Sequence, residues 1–158
     1  MKYGMFFITP LFILAASVAA PADPTTTDFP GPSGWSHMAT TAAPDPTRTV
    51  LQWHIAGDPA SVTFIKDANT PYADAVAAIE KNFSTNNIKP ATDKDVTCQG
   101  KTGHEVDFAV GPDGHHMIIH RMIVPDGAGI ATITYARSDG SAFDSDVKKS
   151  ETTYCATT

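Results

Sequence analysis

The run HHMIIHRMIV (115–124) lies between two Pro-Asp-Gly segments, at 112–114 and 125–127. Proline presets φ and glycine accepts positive φ, so both segments read as tight turns. A short run bounded by turns is a strand, and this one is apolar on both of its faces. Such a strand belongs inside a sheet that is covered on both sides.

The flanking segments suit that placement. KTGHEVDFAVG (101–111) and IATITYARS (130–138) alternate with a period of two, the signature of half-buried strands. In the first, His104, Val106, Phe108 and Val110 share one face, and Glu105 and Asp107 point away. Tight turns between successive strands imply antiparallel pairing. DKDVTCQG (93–100) leads into this meander. Upstream, RTVLQWHIAG (48–57) sets Val50, Gln52 and His54 opposite a stronger, core-facing side of Leu51, Trp53 and Ile55. SVTFIKD (61–67) follows through GDPA, predicting a hairpin. GWSHM (34–38) reads as a short first strand anchored by Trp35.

Two segments carry helical periodicity. In TPYADAVAAIEKNF (70–83), Thr70 can cap, Pro71 fits the first helical position, and Tyr72, Val76, Ile79 and Phe83 form a stripe; STNN would end it. In SAFDSDVKKSETTYC (141–155), Ser141 and Asp144 approximate a capping box, with Phe143, Val147 and Tyr154 as a looser stripe. The expected fold is α+β, an antiparallel sheet of about six to seven strands packed with two main helices.

The chain start sets an expected compartment. Lys2 precedes the apolar run MFFITPLFILAASVAA (5–20), which ends in small residues, the layout of a secretory signal peptide over 1–22 with cleavage after Ala20 or Ala22. The run is short for a membrane span and contains Pro10, so no stable membrane insertion is expected after cleavage. The mature protein is expected to be periplasmic or secreted. Residues 23–34, rich in Pro and Thr, read as a linker whose end could be tacked onto the domain at Phe29, and 35–158 as a single domain. Two cysteines, Cys98 and Cys155, in an oxidising compartment read as one disulfide. Closing a loop of nearly sixty residues would stabilise the fold by roughly 4 kcal/mol on the chain-entropy model. The formal net charge is −6 and the basic residues form no block, which argues against nucleic acid or anionic lipid as partner.

With Gly34-Trp35, the hairpin 48–66, the helix 70–83, the Gly-centred entry CQGKTGHEVDFAV (98–110), the meander 115–136 and the closing helix, residues 34–155 resemble the PsbP-like superfamily. That group of small α/β/α sandwiches includes the lumenal PsbP subunits of photosystem II and exported bacterial proteins of the DcrB type. The resemblance is one of pattern and order. It implies a binding, assembly or accessory role, with no shared catalytic constellation.

Chemistry, if any, centres on the histidines. Zinc and copper sites draw on imidazoles with carboxylates. His116 and His120 project from one face of a strand, but roughly 13 Å apart at strand rise, too far to share one metal. His115 points to the other face. A metal would need neighbours on adjacent strands, and Glu105, Asp107 and His54 are the alternatives. The competing reading is a partly wet sheet face whose histidines are satisfied by local hydrogen bonds. His104 alternates with core residues and reads as a core-margin histidine. No G-x-S-x-G, H-E-x-x-H, phosphate loop or EF-hand pattern is present. The expectation is therefore an exported, non-enzymatic protein that binds a protein or small molecule without a cofactor. Metal binding by zinc or copper is the alternative, and a small hydrolase a weaker one.

Overall fold

The computed structural model describes residues 29–38, 47–112 and 116–157. The expected signal peptide, the linker up to residue 28 and His115 lie outside the described residues. Seven strands and two helices follow in order: β1 (Ser36–Met38), β2 (Arg48–His54), β3 (Ser61–Asp67), α1 (Tyr72–Asn86), β4 (Thr92–Cys98), β5 (Lys101–Val110), β6 (Met117–Asp126), β7 (Gly129–Ser138) and α2 (Ser145–Ala156). The strands form one sheet in the order β1-β2-β3-β7-β6-β5-β4, antiparallel throughout. The fold is α+β. No described helix is long and apolar enough to cross a membrane.

The order follows from α1. It carries the chain from β3 to the far edge, where β4 starts a four-strand meander that returns β7 to β3. β6 is thereby interior, between β5 and β7, and its alternate residues enter two different cores. Met122 and Val124 join Leu51, Trp53, Phe64, Ile133 and the α2 residues Val147 and Tyr154. Ile123 joins Val106, Phe108, Ile130 and the α1 residues Ile79 and Phe83. One helix therefore covers each face of the sheet. Burying a side chain such as Phe64 or Ile133 contributes about 1.5–3 kcal/mol.

Both helix boundaries differ from the sequence expectation. The Thr70 hydroxyl donates to the Asp67 carboxylate (3.1 Å) instead of capping α1, whose N-cap is Pro71. α1 continues through Ser84 and Thr85 to Asn86 because Asn87 adopts the left-handed conformation (φ 53°) and Ile88 N–H donates to Phe83 O (2.9 Å). Ile88 then packs on the core, the hydrophobic closure typical of such a helix end. At α2 the Asp144 carboxylate alone caps, accepting from Asp146 N and Val147 N; Ser141 lies upstream of the helix.

Residues 29–34 follow the alternative in which the end of the Pro/Thr-rich segment is tacked onto the domain at Phe29. Phe29 is 2 % exposed, stacked on Phe64 with ring centroids 5.2 Å apart and tilted against Trp53 and Tyr154. A Cβ on Gly31 would collide with the Trp53 indole, so the backbone here rests directly on that ring. Composition suggested a solvated segment, but one aromatic ring was enough to fix it in the core. At the opposite edge Cys98 and Cys155 form a disulfide. Gln99 (φ 52°) and Gly100 (φ 69°) make the two-residue turn of the β4–β5 hairpin, which needs positive φ at both positions. Gln99 also donates through its backbone N to Cys155 O (2.8 Å) and through Nε2 to Tyr154 O (3.1 Å), satisfying carbonyls that the end of α2 leaves open.

Candidate functional site

Asp107 on β5 and His120 on β6 are direct cross-strand partners on the face covered by α2. His120 Nδ1 lies 2.9 Å from Asp107 Oδ1. From above, α2 brings Glu151, whose Oε1 is 3.3 Å from His120 Nε2. That second contact is an ion pair without hydrogen-bond alignment. Phe143 closes the site edge-on to the imidazole at 4.9 Å, and His120 is only 5 % exposed. Glu105, two residues before Asp107 on the same face, pairs with Lys94 Nζ (3.0 Å). One ligand atom each from Glu105, Asp107 and His120 lies within 4.8 Å of the others.

Burial works against an imidazolium here, but Glu151 and then Asp107 outweigh it, and the His120 pKa stands above its ordinary value. With the proton on, both ring nitrogens face carboxylates. Among the described residues the partners of the ring nitrogens are carboxylates, and both cysteines are consumed in the disulfide.

The other candidate ligands are elsewhere. His116 precedes β6 by one residue and is not in the cluster. His54 pairs with Ser61, which pairs with Ala136; that register puts it on the α1 side, two strands removed from β6 and on the opposite face from His120. His104, buried on that side, has Nε2 3.4 Å from Asp93 Oδ1. Glu151 was missed in the sequence. The signal was the gap in the α2 stripe: Val147 and Tyr154 are seven apart, and the positions between them on that face are Ser150 and Glu151.

Arg121 was also missed, although it stands between Ile119 and Ile123 on an otherwise apolar strand face. Between α1 and the sheet lies a cavity of about 430 Å³, walled by Ile79, Phe83, Phe108, Ile123 and Ile130, with Asn82, Thr132 and Arg121 as its polar groups. Nε of Arg121 donates to Thr134 Oγ1 (3.2 Å), and the guanidinium carbon lies 6.0 Å from the centre of the Phe108 ring. Desolvation lowers its pKa, with no carboxylate acting in the opposite sense. Among the described residues this guanidinium has no acidic partner. Arginine still remains charged at any ordinary pH.

No family model and no curated protein matches the chain. A solved Pseudomonas aeruginosa structure, described as protein of unknown function PA94, is similar to it with a TM-score of 0.47 and 16 % sequence identity. The match covers 66 % of this chain and 83 % of that one.

Proposed function

We propose that the chain is an exported, non-enzymatic binding protein of the PsbP-like kind that takes a small molecule into the cavity between α1 and the sheet. The apolar start at 5–20 and the disulfide support export to a periplasm or beyond. One helix on each face of an antiparallel sheet supports the α/β/α sandwich.

The observation that carries the binding role is the cavity itself. Its apolar walls with a few polar groups, Asn82 on α1 and Arg121 and Thr132 on the sheet, are the usual make-up of a small-molecule site, and its volume falls in the usual range of about 300–1,000 Å³. The test is titration with N-phenylnaphthylamine, a neutral fluorophore that brightens in apolar surroundings. Saturable binding at one probe per chain is expected. Ala78→Trp, which fills the cavity from an exposed helix position, should abolish it while leaving the circular dichroism unchanged. Absence of saturable binding to the folded wild type would refute the reading.

A second reading is metal binding, by zinc or copper, at Glu105, Asp107 and His120. The convergence of three potential ligand residues, two carboxylates and an imidazole, favours it, and so does Glu151. A metal on Nδ1 would leave Nε2 facing Glu151 at 3.3 Å, and an outer-shell carboxylate in that place is what orients many metal-bound histidines. Elemental analysis of protein purified without added metal should then find one ion per chain, lost in His120→Gln. Metal-free protein that also fails to take up zinc on addition would remove this reading.

A further inference from the structure

We infer that the cavity ligand is an amphipathic carboxylate, its head group paired with Arg121 and its apolar chain lying between α1 and β5–β7; this rests on the cavity-binding reading above.

A charge drawn out of water is costly unless it is paired. Three other cations of its sheet meet carboxylates: His120 faces Asp107 and Glu151, Lys66 meets Asp126 at 3.1 Å and Lys94 meets Glu105 at 3.0 Å; Arg137 and Lys101 instead donate to the backbone carbonyls of Ser141 (3.2 Å) and Pro125 (3.0 Å). Arg121 is partly desolvated as well, yet among the described residues its side-chain hydrogen bond goes to a neutral hydroxyl. That bond uses Nε and leaves the two Nη groups for a partner. A guanidinium presents these donors as a rigid planar fork, which suits the two oxygens of a carboxylate.

The surroundings narrow the head group. The row of cross-strand partners on this face runs Asp93, Val106, Arg121, Thr134, Thr63 and Gln52; it places hydroxyls and an amide on one side of Arg121 and no second cation, while the carboxylate beyond Val106 lies 3.4 Å from His104 Nε2. Thr132 adds a hydroxyl to the cavity lining itself. One positive charge with neutral donors matches a monoanion better than a phosphate dianion. The chain's net charge of −6 supplies no general attraction for anions, so selection must be local.

The rest of the cavity is apolar. Allowing about 30 Å³ for each water-sized group, it holds roughly fourteen such groups, comparable with a medium-chain fatty acid or an aromatic acid of similar bulk.

The test is competition against bound N-phenylnaphthylamine by decanoate, decanol and decylamine, which share a chain and differ in head group. Decanoate should displace the probe at a concentration roughly tenfold or more below decanol, and decylamine should be weakest, since each factor of ten corresponds to about 1.4 kcal/mol of selective pairing. In Arg121→Met the preference should vanish while decanol is unchanged. If that variant does not fold, Asn82→Asp serves instead. It adds a negative charge at an exposed position of the cavity rim and should weaken decanoate and strengthen decylamine. Equal displacement by all three would overturn the carboxylate assignment and leave the cavity reading standing. Failure of the probe and of decanoate alike to bind would overturn both.

Discussion

His120 and Arg121 are consecutive residues of β6 that face opposite layers, the imidazole with carboxylate oxygens at 2.9 and 3.3 Å, the guanidinium with none among the described residues. The period of two in a strand makes this possible: one peptide step separates a closed charge cluster under α2 from an open one under α1. The first can hold the fold together unaided, whereas the second awaits a partner.

Removing the imidazole should therefore expose how the cluster works. In His120→Gln, Asp107 and Glu151 remain on a largely buried face without their shared cation, and unfolding free energy should fall by about 3 kcal/mol, the scale for breaking a buried pair. Replacing all three groups by apolar residues (Asp107→Leu, His120→Met and Glu151→Leu together) should recover most of the loss. Urea denaturation of both variants checks this. A single substitution that costs nothing would show that the pair adds no net stability.

The pH dependence has a definite sign. His120 has a folded-state pKa above its ordinary value of 6.5. The protonated cluster's contribution is thus fully present below about that pH and is lost as pH rises through the raised folded-state value. Measured with a chelator present, wild-type stability should decline as pH rises above about 6.5, and His120→Gln should lack that component. A wild-type component that instead grows with rising pH would contradict the assignment.

How much of this could be read from the sequence depends on what each feature requires. The double-sided apolar character of 117–124 was enough to place β6 inside a covered sheet, because periodicity is local. The adjacency of Asp107 and His120 was not available, since it depends on register across the turn, and a one-residue slip would send every side chain to the other face. His54 illustrates the same point: it joins His120 as a candidate on composition, yet pairing through β3 and β7 puts it on the opposite face. Glu151 depends on where α2 docks, a tertiary fact hinted at only by the gap in its stripe. Phe29 could be named as a tacking point, but its place in the core could not, since prolines and threonines describe a segment's average and which partners one ring meets is a tertiary fact.

Phe29 supports a prediction about the domain boundary. It stacks on Phe64 and touches Trp53 and Tyr154, joining the start of the described chain to β2, β3 and α2. Phe29→Ala should cost about 3–5 kcal/mol, the range for emptying a buried aromatic site. A chain that begins at Trp35 should be destabilised at least as much as the point variant. Thermal unfolding of the two side by side provides the check, and a truncated chain as stable as the full one would return residues 29–34 to the role of linker.

The disulfide and Gln99 hold the same helix end, but they should act on different states. The Cys98–Cys155 bond spans a sequence separation of 57 residues. On the chain-entropy model it stabilises by restricting the unfolded chain, by about 4 kcal/mol for a loop of that size. The two Gln99 bonds to Cys155 O and Tyr154 O exist only in the folded protein and do not need the sulfur bridge. Reduction should therefore lower the urea midpoint and raise the m-value, because the reduced chain unfolds to a more expanded state. Native near-ultraviolet circular dichroism and hydrogen-exchange protection in α2 should survive under conditions where the reduced protein remains folded. Gln99→Gly keeps the turn and removes the side-chain bond, so it should loosen the end of α2 with the disulfide intact. If reduction alone frays that end at zero urea, the bridge acts in the folded state and the entropic account fails for this protein.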